Sequence, residues 1–365
     1  MFNFRNIKLM GFLITLATFC KGQNSPSNDF IISGQGHAGY IISHRNNMTH
    51  LIKGHIYGAE LNYIFRTDGS KSWHQLYKYP EIGFCLVHMY LANPVELGNL
   101  DGAYPYLNFR LNNSKRSWKL NLRMGVGLGY LTKPFDRTTN HKNNAIGSHL
   151  NGFVNMRLNW AFRLSNSWRL ETGFGLTHAS SGAIKTPNLG LNVASANLGI
   201  GYVFGNKELQ YKKDTMAPEK KWTSMIVAVA GVKELETPGG KKYTAYGIQY
   251  NLYRTLNHKN KLGGGIEVAY NNASKEVYES DSIYDYKFSD IIQGGIKVSY
   301  SFNVHRLSLP VDFGYYLYKK QSYNGNFFHR VGLRYMVTDH IIANVTLFSH
   351  WAKADYFEWG VGYKF

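Results

Sequence analysis

Along most of the chain, apolar and polar residues alternate with a period of two. They do so in segments of roughly ten residues parted by polar turns, the pattern of β-strands with two unlike faces. The clearest run is Trp118 to Tyr130. Trp118, Leu120, Leu122, Met124, Val126, Leu128 and Tyr130 share one side, and Lys119, Asn121, Arg123, Gly125, Gly127 and Gly129 the other. Leu150 to Leu164 repeats the pattern, with Val154, Met156, Leu158, Trp160 and Phe162 opposed to Asn151, Asn155, Arg157, Asn159 and Arg163. Shorter candidates are Gly36 to His44, His55 to Arg66, Gln75 to Tyr90 and Ala103 to Leu111, followed by Trp168 to Ser180 and Asn192 to Phe204. Aromatic residues gather at segment ends (Trp73, Trp118, Tyr130, Trp168, Tyr202, Phe204), as interfacial girdles require. Leu and Trp outside with Arg and Asn inside inverts a soluble sandwich. The reading is an all-β antiparallel transmembrane β-barrel.

Connections alternate in length. Short turns at Asn112 to Lys115 and Ser165 to Ser167 are interleaved with longer loops around Asn93 to Asp101, Asp136 to Ser148 and Ser181 to Leu191. In outer-membrane barrels the short ones are periplasmic. Gly205 to Lys221, charged and containing Pro218, breaks the rhythm, and a second set of segments follows. These are Trp222 to Val232, Tyr243 to Arg254, Leu262 to Tyr270, Ile292 to Phe302, Leu307 to Tyr318, Phe327 to Met336, Ile341 to His350 and Asp355 to Phe365. Gly-X-Gly-Tyr-X-Phe closes both sets, at Gly199 to Phe204 and Gly360 to Phe365. The expectation is about sixteen strands in two halves of about eight. The first half is 23–205 and the second 222–365, joined by a periplasmic linker at 206–221. Periodicity leaves open one wide barrel or two small ones in tandem.

Residues 1–22 read as a signal peptide: Arg5 and Lys8 precede a short apolar run, Leu9 to Phe19, and small residues precede Gln23. Its removal takes Cys20 and leaves Cys85 alone, so no internal disulfide can form. No later stretch has the apolar length of a spanning helix. The formal charge is +18: it is either a solubilising surface excess or, in a secreted chain without a nucleic-acid motif, the mark of a polyanion partner such as phosphorylated lipopolysaccharide. The expected location is the outer membrane; the oligomeric state is left open.

Chemistry enters where the phase is broken. On the apolar side of Trp168 to Ser180 stand Trp168, Leu170, Phe174 and Leu176, then His178 and Ser180; after the loop the same side resumes with Asn192 before Ala194. A hairpin would bring a base, a hydroxyl and an amide to one loop on the lipid side. Ser180 would attack an ester, His178 take its proton and Asn192 fix the imidazole tautomer, with the Ser181 and Gly182 amides facing the oxyanion. His and Ser two apart also arise by chance, as interfacial polar residues at a strand end. His350, Asp355 and Glu358 suggest a second site, but phase turns His350 and Glu358 inward, toward a network with Arg330 and Arg334. The spacings offer neither a metal site nor a phosphate loop, and no cofactor is expected.

His178-Ala179-Ser180, the run Pro187-Asn188-Leu189-Gly190-Leu191-Asn192 and the closing strand to Phe204 resemble the outer-membrane lipid A 3-O-deacylases of the PagL type and their acyloxyacyl-hydrolase-like relatives. The resemblance covers Gly36 to Phe204. It implies a carboxylic-ester hydrolase acting on lipid A, with Ser180 as nucleophile, His178 as base and the position of Asn192 as orienting group. The family usually carries Asn where Ser181 stands and Glu where Asn192 stands. The alternative is a non-catalytic outer-membrane barrel, a channel or a lipopolysaccharide-binding protein, retaining the motif.

Overall fold

The computed structural model describes residues 29–113, 116–205, 221–235, 237–283, 285–320, 324–351 and 353–365. The expected signal peptide, linker residues 206–220 and Ser114 and Lys115 of the short turn lie outside them.

The described strands form two closed antiparallel barrels of eight strands each, so two small barrels, and not one wide one, satisfy the periodicity. The first comprises β1 (Phe30–Ile42), β2 (Ile56–Arg66), β3 (Glu81–Asn93), β4 (Gly98–Arg110), β5 (Trp118–Leu131), β6 (Leu150–Arg163), β7 (Trp168–Ser180) and β8 (Leu191–Phe204). The second comprises β9 (Trp222–Glu234), β10 (Lys242–Thr255), β11 (Asn260–Asn271), β12 (Ile292–Val304), β13 (Leu307–Tyr318), β14 (Phe327–Met336), β15 (Ile341–His350) and β16 (Lys353–Lys364). Each strand pairs with its sequence neighbours. Closure comes from β1 on β8, Phe30↔Phe204 through Ile42↔Asn192, and from β16 on β9, Glu358↔Gly231 through Lys364↔Met225.

The phase is as the alternation requires. Val126, Val154, Met156, Phe174, Ile248 and Val361 point outward and are exposed, while Arg123, Arg157, Asn121 and Asn155 are buried inside. So many buried polar groups persist only because they are paired. In the first barrel Glu60 accepts both Arg157 guanidinium nitrogens at 2.8 and 2.9 Å and one from Arg123 at 3.1 Å, with His37 Nε2 2.9 Å away. Glu81 pairs with Lys119 at 2.8 Å and Arg169 at 2.9 Å. In the second barrel Arg330 lies between Glu267 at 2.8 Å and Glu358 at 2.6 Å, and Lys297 meets Asp312 at 2.7 Å. Arg330 and Glu358 thus form the expected internal pair. Arg334 instead takes neutral partners, among them Asn344 at 2.9 Å and the Tyr253 hydroxyl at 3.0 Å.

Several local expectations are corrected. β1 begins at Phe30, six residues before the alternation becomes visible, because Ser33, Gly34, Gln35 and Gly36 give no apolar contrast. The segment starting at Gln75 is not all strand: a short helix α1 (Ser72–Leu76) precedes it, and β3 starts only after Pro80, which has no N–H for a ladder. The loop placed at Asn93 to Asp101 is a tight turn, 94–97. Its neighbours Leu91, Leu97 and Leu100 point inward and join Leu131, Phe153, Leu191 and Val193 in an apolar plug at that end of the barrel. There the inner face is apolar too, so polarity no longer reports phase. Helices α2 (Ala273–Ser280) and α3 (Phe288–Ile291) occupy the β11–β12 connection.

One end of the first barrel carries the connections 43–55, 94–97, 132–149 and 181–190; the other carries 67–80, 111–117 and 164–167. The length alternation therefore holds except at 94–97 and 67–80. The barrels touch at both ends. Near the 181–190 loop, Glu234 N donates to Ala183 O at 2.8 Å. At the far end the Tyr77 hydroxyl donates to Asn303 O, Lys259 lies 4.8 Å above the Tyr77 ring, and Trp73 stacks on His305.

Candidate active site

β7 and β8 are the hairpin the phase called for. His178 faces Asn192 directly across it, as Leu176 faces Ala194. On the other flank of β7, Val154 of β6 faces His178 and Gly152 faces Ser180. Alternation from the exposed Phe174 sets His178, Ser180 and Asn192 on the outward side at the loop end.

His178 Nδ1 lies 2.7 Å from Asn192 Oδ1, and Asn192 Nδ2 lies 2.9 Å from Nδ1 of His44, in the β1–β2 connection. An amide oxygen only accepts, so this contact holds the proton on Nδ1 and leaves Nε2 free to take one. Gly190, with φ of +83°, closes the loop against the ring: a β-carbon there would sit 2.8 Å from His178 Cε1 and 3.4 Å from Nε2. Only glycine meets both the backbone and the space requirement. Ser180 is 6% exposed. Strand geometry sets its Cβ about 7 Å from that of His178, and among the described residues no hydrogen bond joins the two side chains.

Of the two proposed oxyanion donors, the Ser181 amide is already engaged, donating to Asn188 Oδ1 at 2.8 Å; the Ser181 hydroxyl donates to Lys185 O at 2.9 Å. Gly182, left-handed at φ +57°, follows it at the start of the loop. A β-carbon on Gly182 would meet the Phe357 ring at 2.4 Å, and one on Gly152 would meet it at 3.0 Å. Phe357 comes from β16. The second barrel therefore packs on both glycines that flank Ser180.

The same barrel braces the loop. Thr186 donates both its backbone N–H and its hydroxyl to Glu234, and the hydroxyl also reaches Leu235 O at 3.0 Å. Gly190 N donates to Ala145 O at 2.9 Å from the first barrel's long loop. Glu234→Ala removes two hydrogen bonds to a carboxylate, about 1.5–3 kcal/mol each. Amide exchange across 181–190 is expected to quicken roughly tenfold or more without a shift in global unfolding. Hydrogen-exchange mass spectrometry reads this, and unchanged loop exchange would count against the brace. Sequence phase could find His178, Ser180 and Asn192. It could not find His44, Glu234 or Phe357, which reach the loop from distant strands and carry no local pattern. His350 and Asp355 (3.6 Å apart) stay in the second barrel, with Tyr316 OH 3.2 Å from the His350 ring.

Family models match both barrels. Residues 57–201 match the model described as lipid A 3-O-deacylase (PagL), and residues 222–365 match acyloxyacyl hydrolase, C-terminal domain.

The chain belongs to the PagL family.

Both PagL matches stop within the observed barrels, so the family's two parts correspond to the two closed sheets. No curated protein matches the chain. Among solved structures, a triple mutant of the Rhodopseudomonas blastica porin is 10% identical, with 92% of this chain and 99% of the porin covered, at a TM-score of 0.18. Another mutant of the same porin is 9% identical over the same shares, at 0.19. Superposition this poor carries nothing further. Asn192, the orienting group expected from the resemblance, makes its amide contact to His178.

Proposed function

We propose that the protein is an outer-membrane carboxylic-ester hydrolase that removes an ester-linked acyl chain from lipid A. The observation that carries this reading is the His178–Asn192 contact of 2.7 Å on the outward face, beside Ser180. A base held in one tautomer on the same strand face as a serine hydroxyl is what ester hydrolysis needs. The exposed belt, including Leu61, Phe174, Leu198, Ile248, Val298 and Val361, is far larger than a soluble surface tolerates and suits a bilayer. Lipid A would then lie laterally against the site, its ester near the headgroup end.

His178 Nε2 takes the Ser180 proton as Oγ attacks the ester carbonyl. The tetrahedral oxyanion faces the start of the loop, where the Gly182 amide can turn toward it. Collapse expels the sugar alcohol, which receives the proton from His178, and leaves the acyl group on Ser180. Water, deprotonated by His178, then releases the fatty acid and restores the serine. No cofactor enters these steps. The channel alternative loses ground because the described interiors are packed with ion pairs and, in the first barrel, an apolar plug. A lipopolysaccharide-binding protein remains the contrasting outcome of the test.

That test is mass spectrometry of lipid A from cells expressing the protein beside a vector control. Loss of one acyl mass supports the hydrolase; intact lipid A across several lipid A types, with the protein present in the membrane, moves the reading to binding. Asn192→Glu gives a second measurement. A carboxylate in place of the amide strengthens the bond to the imidazolium by about 1–2 kcal/mol, so kcat is expected to rise roughly 5–30-fold. An unchanged or lower kcat would mean that the imidazolium does not limit the rate.

A further inference from the structure

Outside the reacting residues, one apolar cleft stands out, and it lies between the barrels. Its first wall is the outward face of β5 and β6, with Val126, Val154 and Met156; its second is the outward face of β13 and β14, with Leu307, Leu309 and Leu333. The cleft measures about 360 Å³. Its position relative to the reacting residues follows from register. Val154 is the direct cross-strand partner of His178, and Val126 the partner of Val154. The cleft thus begins at the level of the imidazole, on the face that His178 shares. Just above that level, Phe357 of the second barrel lies on Gly152, the partner of Ser180.

The cleft also has a floor. From Val154 it descends past Met156, whose row continues through Met124 to Leu107, and then to Phe109, whose row holds Leu122 and Leu158. That is four residues along β6, about 13 Å at strand rise. Below, Trp73 stacked on His305 and the Tyr77 hydroxyl bonded to Asn303 O tie the barrels together. An apolar slot whose upper end is Val154, the cross-strand neighbour of His178, and whose lower end is crossed by Trp73 and His305 has the form of an acyl-chain site.

We propose that the cleft between the barrels holds the acyl chain whose ester Ser180 attacks, with the second barrel serving as its outer wall and its ruler. This rests on the assignment of Ser180 and His178 as the reacting pair. The carbonyl sits at Ser180 and the chain runs down between Met156 and Leu309. Because the acyl group stays on Ser180 after the sugar leaves, the cleft grips it through both half-reactions. A chain too short to reach Met156 gains nothing from the second barrel.

The test uses the full chain in detergent micelles and compares lauroyl with butyryl p-nitrophenyl esters. Met156→Trp and Leu309→Trp each fill the slot from one side, at outward positions that leave the barrel interiors untouched. Each is expected to lower kcat/KM for the lauroyl ester about tenfold or more, with the butyryl ester changed less than about twofold. An unchanged lauroyl-to-butyryl ratio in active variants overturns the proposal and leaves the hydrolase standing, the result expected if bilayer lipid alone fills the cleft. Wild type that cleaves neither ester and leaves lipid A intact overturns both. Should a tryptophan variant fail to fold, a lauroyl phosphonate bearing a terminal diazirine, trapped on wild-type Ser180, decides instead. Photocrosslinks to β12–β14 support the cleft, and crosslinks confined to β7 and β8 overturn it.

Discussion

Ser180→Ala is expected to leave lipid A fully acylated, with kcat reduced at least about a thousandfold. The magnitude follows from the role proposed for the hydroxyl: without Oγ that mechanism forms no acyl-enzyme, and only water remains to attack. His178→Ala is expected to be nearly as severe, since it removes the group proposed to take the serine proton. The two losses should not add. Residues that act as one unit give a double variant no slower than the slower single variant. Lipid A mass spectra from cells with equal membrane levels of each variant read this directly. Deacylation that survives Ser180→Ala would place the nucleophile elsewhere, and independent losses in the double variant would mean that the two residues serve different steps.

The second large effect concerns stability. Glu60 is the common partner of Arg123 and Arg157, each with a side chain 1% exposed, and of His37. Glu60→Ala strands two buried guanidinium groups, and breaking a buried pair in this way costs about 3–5 kcal/mol. Glu60→Gln keeps an acceptor and should lose less. Urea unfolding in phospholipid vesicles, followed by tryptophan fluorescence, is the measurement. A midpoint within error of wild type would show that neighbours such as Asn62 and Asn108, already bonded to Arg123, suffice to hold the charge.

Much of this architecture is legible in the sequence because a barrel with an apolar outer face and a polar inner one writes both faces into alternate positions. β13, β14 and β15 begin and end where the alternation does. That His178 and Asn192 share the outward face follows from the phase of the hairpin; that they stand directly opposite is set by its register. Legibility fails where the contrast between faces disappears. At Ser33 to Gly36 small residues hide the start of β1, and near Leu91 to Leu100 the plug makes the inner face as apolar as the outer. It fails again where contacts are made between barrels. Glu234 and Phe357 sit on strands whose own patterns are complete, and nothing local announces that one holds Thr186 and the other covers Gly152 and Gly182. The Ser181 amide is a different case: the residue was found, but its hydrogen bond to Asn188 depends on the path of the loop.

The strand count of each closed sheet has a topological consequence. Eight is even, so a chain entering at Phe30 leaves at Phe204 beside its point of entry, and the pairing of those two residues records this. A following unit that starts on the same side points the same way, as Glu234 beside Ala183 at one end and Asn303 beside Tyr77 at the other record for the second sheet. With an odd count the second sheet would stand upside down, its β9–β10 turn at the far side from the 181–190 loop. Parity is thus what lets Glu234 reach Thr186, and adding or deleting one strand in the first sheet would separate them by the full height of the barrel.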